Sequence, residues 1–197
     1  PFALTAAEQL SAGKKVLYLN FSICNGFCKS MGLEPDVDMG DLFYLLREDE
    51  EALLAKLKSG IYPLGSYQII PPPSNPEHYM EWRKGEVRHF LEILLEKTDF
   101  EVLVLDMGCV MNGFFEVLDL CGRIWILKEH WTSKDSGIEE LRELLEKFKA
   151  GLEERVEEVF LPGGQAWRED GTIQVEEFYM GEVGNCVRRL LGGEYAS

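Results

Sequence analysis

A chain of 197 residues with 46% hydrophobic and 11% aromatic content is long enough for one domain with a sizeable core. Its formal net charge of −15 excludes a nucleic-acid surface, which needs a basic stripe, and broad attraction to anionic lipid. No apolar run reaches the roughly 18–20 residues of a membrane span, and no charged region followed by an apolar one opens the sequence, so secretion is not expected. Five cysteines, an odd number, fit a reducing compartment, so a cytoplasmic location is expected.

Phe2, Leu4, Ala7 and Leu10 recur at helical spacing and predict a helix over 1–11, with Pro1 tolerated in its first turn and Gly13 ending it. Lys15 to Asn20 reads K-V-L-Y-L-N, a strand buried on both faces. A loop follows from Asn25-Gly26 to about Gly40. Asp41 is the expected N-cap of a helix through about Lys58, with a leucine stripe from Leu42 to Leu57 and Gly60 as its stop. Ser66 to Ile70 is a short strand, closed by Pro71-Pro72-Pro73. A second helical stretch runs from Asn75-Pro76 to about Lys97, buried through Val87, Phe90, Leu91, Leu94 and Leu95. Glu101 to Asp106 reads E-V-L-V-L-D, a second apolar strand ending on an acid. Phe114 to Leu120 is a short helix, 123–127 a strand, 137–154 a charged amphipathic helix and 156–161 a strand. The segment 165–176 is the least regular, 172–178 is a candidate edge strand, and 181–191 is a closing helix.

Strands and helices alternating on this scale predict a three-layer α/β fold, a mostly parallel sheet with helices on both faces, in a single domain over 1–197. Ligands of such sheets sit beyond the carboxyl ends of the strands. Asn20, Ser22, Asp106, Gly108, Lys128 and Glu129 all fall at strand ends and are the candidate site residues. An Asp ending a buried strand is also a common turn former. Cys24 and Cys28 have no further ligands at zinc spacing, and His78, His89 and His130 are scattered. Trp82-Arg83-Lys84 reads as a solvated helix face or a cationic aromatic patch, and 71–76 as a rigid loop. Arg188 and Arg189 sit in too short and polar a helix for membrane anchoring.

In their order, these pieces resemble the MinD/ParA family of P-loop ATPases. A-L-T-A-A-E-Q-L-S-A-G-K-K-V-L-Y-L-N is similar to the helix and strand that follow the family's phosphate loop. D-F-E-V-L-V-L-D-M-G is similar to its Walker B strand, and F-F-E-V-L-D-L-C-G-R-I-W-I-L-K-E to the next helix and strand. V-E-E-V-F-L-P and G-E-V-G-N-C-V-R-R-L-L resemble its last strand and helix. Within the family, the likeness is nearest to the ATPase-like part of CpaE/TadZ pilus-localisation proteins.

The resemblance implies ATP or ADP with Mg²⁺, face-to-face homodimers and a role in positioning other machinery. It places Asp106 as the Walker B acid, holding Mg²⁺ through water. Asn20 and Ser22 stand where the family has acids, and an amide and a hydroxyl cannot act as a carboxylate base. The phosphate-loop pattern G-x-x-x-x-G-K-S/T does not occur, and Gly13-Lys14 lies after a helix and before a strand, the reverse topology. The expectation is therefore a degenerate or weakly active nucleotide-binding domain acting as a positioning or assembly scaffold. The alternatives are an active switch whose loop lies upstream of Pro1, or a fold-only interaction module. The loop and its strand would occupy the middle of the sheet, so a gap with two unpaired edges is expected. Either upstream sequence fills it, or another segment or a partner does.

Overall fold

The computed structural model describes residues 2–22, 26–108, 110–128, 136–161 and 175–192. Helix α1 (Phe2–Leu10) leads into strand β1 (Val16–Asn20), every residue of which is buried. Alternation along β1 sends Leu17, Leu19 and Phe21 to one face and Val16 and Tyr18 to the other. On the first face lie α3 (Met39–Glu48), α4 (Glu50–Gly60) and α6 (Glu86–Lys97), through Leu42, Phe43, Leu53, Leu57, Phe90 and Leu94. On the second lie α1 and the closing helix α10 (Glu182–Leu190), through Phe2, Leu4, Ala7, Cys186 and Val187. Helices thus cover both faces of β1, as the sequence predicts.

The strands form two parts. In the first, the order is β2 (Tyr62–Leu64), β3 (Tyr67–Ile70), β1, β4 (Val102–Asp106). β3 and β4 run parallel to β1, and β2 returns antiparallel on the outside of β3 through the turn at Gly65. In the second, β5 (Ile124–Lys128) pairs in parallel with β6 (Val156–Phe160). Helices α7 (Phe114–Leu120) and α8 (Ser136–Phe148) close a smaller core over this pair around Leu118, Ile124, Leu145 and Val156.

Backbone bonding shows which way each inner edge faces. Val102 N donates to Lys15 O at 3.2 Å and Asp106 O accepts from Phe21 N at 2.8 Å, so the even positions of β4 face β1. The backbone groups of Leu103 and Leu105 therefore face the other edge. Likewise Leu161 N donates to Lys128 O at 2.7 Å, so Trp125 and Leu127 turn theirs away from β6. Among the described residues neither edge pairs with another strand. β4 is half-buried along its whole length, although V-L-V-L is as apolar as anything in the buried β1. Helix α1 underlies both parts: Val102, Val104 and Trp125 join its cluster, and the Phe2 ring meets Trp125 edge-on at 5.6 Å.

Several boundaries differ from the sequence expectation. Asp38, not Asp41, caps α3: its Oδ1 accepts from Gly40 N at 2.7 Å and Asp41 N at 3.2 Å, while Asp41 returns a bond to Asp38 N. That reciprocal pair is a capping box built with two aspartates. The expected single helix to Lys58 breaks at the extended Asp49, whose side chain caps α4 in turn. The stretch 75–97 is broken as well, into α5 (Glu77–Glu81) and α6, with Gly85 at φ 85° between them. At the break Trp82 is neither a helix face nor a surface patch. It is 1% exposed and stacks on Phe43 at 4.2 Å. The short helix α2 (Phe27–Ser30) and strand β2 lie where the sequence read as connections. Residues 175–178, expected as strand, are helical within α9 (Val175–Met180). Cys28 and Cys121 are half-buried and Cys186 is buried; burial pushes the Cys121 thiol up to about 11, so it stays protonated. Cys24, Cys109 and His130 lie outside the described residues.

Candidate functional site

The parallel register sets Asn20 of β1 directly beside Asp106 of β4, both at the carboxyl ends of their strands. Both belong to the face that carries Tyr18, Val102 and Val104, the face covered by α1. Asn20 is 2% exposed and Asp106 half-buried.

Asn20 is fully engaged. Its Oδ1 accepts from Ser22 N at 2.8 Å, closing a tight turn at the strand end. Its backbone oxygen accepts from Tyr79 Oη at 3.0 Å, which ties α5 to the site. The Asn20 side chain acts on the Tyr18 phenol in the opposite sense to burial, lowering it.

Tyr18 reaches across from β1 to β4. Its hydroxyl donates to Asp106 Oδ2 at 2.7 Å. The ring is 1% exposed, stacked on Phe27 at 5.6 Å and edge-on to Tyr67 at 6.3 Å. Burial, and then the negative charge of Asp106, push the Tyr18 phenol well above the ordinary tyrosine range. It is a neutral donor at any physiological pH.

Ser22 and Gly108 meet where the two chains leave the sheet. A Cβ built on Gly108 would lie 2.0 Å from Ser22 Oγ and 3.0 Å from its Cα. Position 108 therefore has room only for glycine, so that the backbone after Asp106 can pass against the turn after Asn20.

Four of the six sequence candidates thus come together: Asn20, Ser22, Asp106 and Gly108. Lys128 does not join them. It ends β5 in the other part of the sheet, where its Nζ pairs with Glu158 Oε2 at 2.7 Å and lies 5.6 Å from the Phe160 ring centroid. The hydrogen bond from Lys128 holds the Glu158 carboxyl below its usual range. Glu129 lies outside the described residues. Sequence reading missed Tyr18, taking it as strand filler. Its signal was its place two residues before Asn20, on the same strand face.

Asp106 suits a water-held Mg²⁺, with Oδ2 fixed by Tyr18 and the carboxylate half-buried at a strand end. Asn20 does not suit a metal-side role, because its amide oxygen already accepts from Ser22 N and an amide brings no charge. Among the described residues no group of three or more His, Cys, Asp and Glu side chains could hold a metal. A cavity of about 440 Å³ lies away from the strand ends, between α3 and α5, lined by Gly40, Phe43, Tyr44, Arg47, His78 and Trp82 among others.

Solved structures share this architecture. A ParA-family ATPase from Chlorobium tepidum TLS superposes with a TM-score of 0.63 at 18% identity, over 95% of this chain and 74% of that one. A plasmid partition protein from Borrelia burgdorferi gives 0.59 at 12% identity, over 96% and 90%. A chain of the MinC:MinD cell division complex of Aquifex aeolicus gives 0.54 at 16% identity, over 90% and 70%. No protein-family model matches the sequence, and no curated protein matches it significantly. The chain has the fold of the ParA/MinD-type ATPases.

Proposed function

We propose that this fold serves here as a nucleotide-binding domain with little or no hydrolysis, working as a positioning or assembly scaffold through self-association. One observation carries the reading: Asp106 is the acid at the paired strand ends, while Asn20 beside it is an amide whose oxygen accepts from Ser22 N. An amide so held cannot take the proton of an attacking water. Asp106 would hold Mg²⁺ through water, and the bound ion would supply charge compensation for ATP or ADP phosphates. The ATPase and partition proteins that share the fold support a nucleotide ligand and a positioning role. The partner and the machine are proposed only as a class, with pilus or other cell-surface assemblies favoured by the resemblance to CpaE/TadZ proteins.

A second reading, an active ATP-driven switch, is favoured by the edges of β4 and β5 that pair with no strand among the described residues. Leu103 and Leu105 on one side and Trp125 and Leu127 on the other fit one further parallel strand above α1. A phosphate loop on that strand would complete the nucleotide site.

Calorimetry with Mg-ATP and Mg-ADP, paired with a phosphate-release assay, separates the readings. Nucleotide binding without hydrolysis, weakened by Asp106→Ala, is the expected result. Hydrolysis abolished by Asp106→Ala supports the switch instead, and absence of binding by protein that holds the completing strand leaves a fold-only interaction module.

A further inference from the structure

The cavity of about 440 Å³ between α3 and α5 has no part in the nucleotide reading. Its size suits a small organic molecule or one long side chain. Phe43 and Trp82, each 1% exposed, give it an apolar wall, and Tyr44, 64% exposed, adds an open ring. Three carboxylates line it as well, those of Asp36, Asp41 and Glu81, all exposed residues. Of its two cations, Arg47 is neutralised by Glu86, which it bonds through Nε and Nη2. Three carboxylates then stand against the ammonium of Lys56. Asp41 Oδ2 already accepts from Asp38 N, whereas the Asp36 and Glu81 side chains form no ion pair among the described residues.

A second observation is independent of the charge. Trp82 Nε1 and His78 Nδ1, both on lining residues, are buried and hydrogen-bond to nothing. An indole N–H is a donor only, and a buried donor without an acceptor is costly. Both atoms are shut from water, so an acceptor reaches them where a bound group eases α5 away from α3.

We propose that this cavity is a binding site for an organic cation: a guanidinium or ammonium on an apolar stem with a carbonyl beside it, as in arginine or lysine. Asp36 and Glu81 hold the charge, and Tyr44 offers it a ring face. The wall of Phe43 and Trp82 covers the stem, and the carbonyl supplies the acceptor that Trp82 Nε1 lacks. The same carboxylates repel an anion. A ligand here also bears on the strand ends through α5. Tyr79 Oη donates to Asn20 O at 3.0 Å, and Trp82 O accepts from Asn112 Nδ2 at 2.9 Å in the segment after β4.

The test is a ¹⁵N NMR titration of the intact chain at neutral pH with no nucleotide present. The probes are Nα-acetyl-argininamide, its uncharged analogue Nα-acetyl-citrullinamide, and free arginine. The reporter is the Trp82 indole N–H, assigned from its absence in Trp82→Phe; where that variant does not fold, the Gly40 and Tyr44 backbone amides serve. The argininamide is expected to move these signals and saturate with a Kd on the order of 1 mM, while the citrullinamide leaves them in place. Asp36→Asn with Glu81→Gln, both on exposed residues, should weaken binding about fivefold, since two exposed charge pairs are lost. Tighter binding of the capped probe than of free arginine supports a partner protein's side chain as the source. Equal or tighter binding of free arginine supports a soluble amino acid. No shift with either cation up to about 20 mM, well past a millimolar Kd, would overturn the proposal. So would equal shifts with the citrullinamide, or binding unchanged in the double variant. None of these outcomes depends on Mg-ATP binding, so the two readings fail separately.

Discussion

Removing the Tyr18 hydroxyl gives the sharpest test of how the strand ends are held. Tyr18→Phe keeps the ring, its stack on Phe27 and its place in the α1-facing core, so no cavity opens. What is lost is the 2.7 Å bond to Asp106. Hydrogen bonds to charged groups contribute about 1.5–3 kcal/mol. Asp106 is half-buried, so water recovers part of that, and a loss of about 2 kcal/mol is expected at neutral pH. The pH dependence then follows from the raised phenol. An acid whose native pKa lies above its unfolded value adds stability that is complete below the unfolded value and is lost as pH rises toward the native one. Unfolded tyrosine ionises near 10, so the wild type should lose about 1.4 kcal/mol per pH unit above that point relative to the variant. The gap of about 2 kcal/mol should therefore narrow as pH rises above 10. Urea unfolding followed by circular dichroism from pH 7 to 11.5 measures both arms. A gap that stays constant through alkaline pH would refute the reasoning, since it would mean that Tyr18 ionises alike in both states.

Three further outcomes follow from the same coordinates. Gly108→Ala should cost about 1–3 kcal/mol in urea unfolding, because its Cβ would meet Ser22 Oγ at 2.0 Å, and Ser22→Gly in the same chain should return most of the loss. Arg47 bonds Glu86 through Nε and Nη2, both at 2.9 Å, joining α3 to α6; Arg47→Met should cost about 1–2 kcal/mol at neutral pH. Burial works against the Glu86 charge, but the Arg47 bonds outweigh it and hold the carboxyl low. That increment is present above the unfolded glutamate value of about 4.3, so variant and wild type should converge as pH falls below it. In amide hydrogen exchange, Val104 and Asp106 should be protected by β1 while Leu103 and Leu105 exchange much faster; equal protection in all four would show that another strand already covers that edge.

Much of the architecture could be read locally. The apolar runs of β1 and β4, the leucine stripes of α3, α4 and α6, and the alternation of strand with helix follow from side-chain periodicity. A residue's period depends only on its near neighbours. The helix breaks were less legible, because Asp49 and the Trp82–Gly85 turn act through caps and through burial of Trp82 against Phe43, a contact between distant segments. Residues 175–178 show the same limit, since short mixed sequences take strand or helix according to what covers them.

At the candidate site the sequence by itself determined the types: an acid ending one strand, an amide and a hydroxyl ending the other, and a glycine after the acid. Only the tertiary structure decided what they do to one another. Parallel pairing of β1 with β4 put Asn20 beside Asp106, and that register, a property of two segments 86 residues apart, brought Tyr18 within 2.7 Å of the carboxylate. It also separated Lys128 from them, by pairing β5 with β6 in a part of the sheet that, among the described residues, does not pair with β4. Hydrogen bonds act over about 3 Å, and no spacing along a chain fixes a distance of that size between two strands.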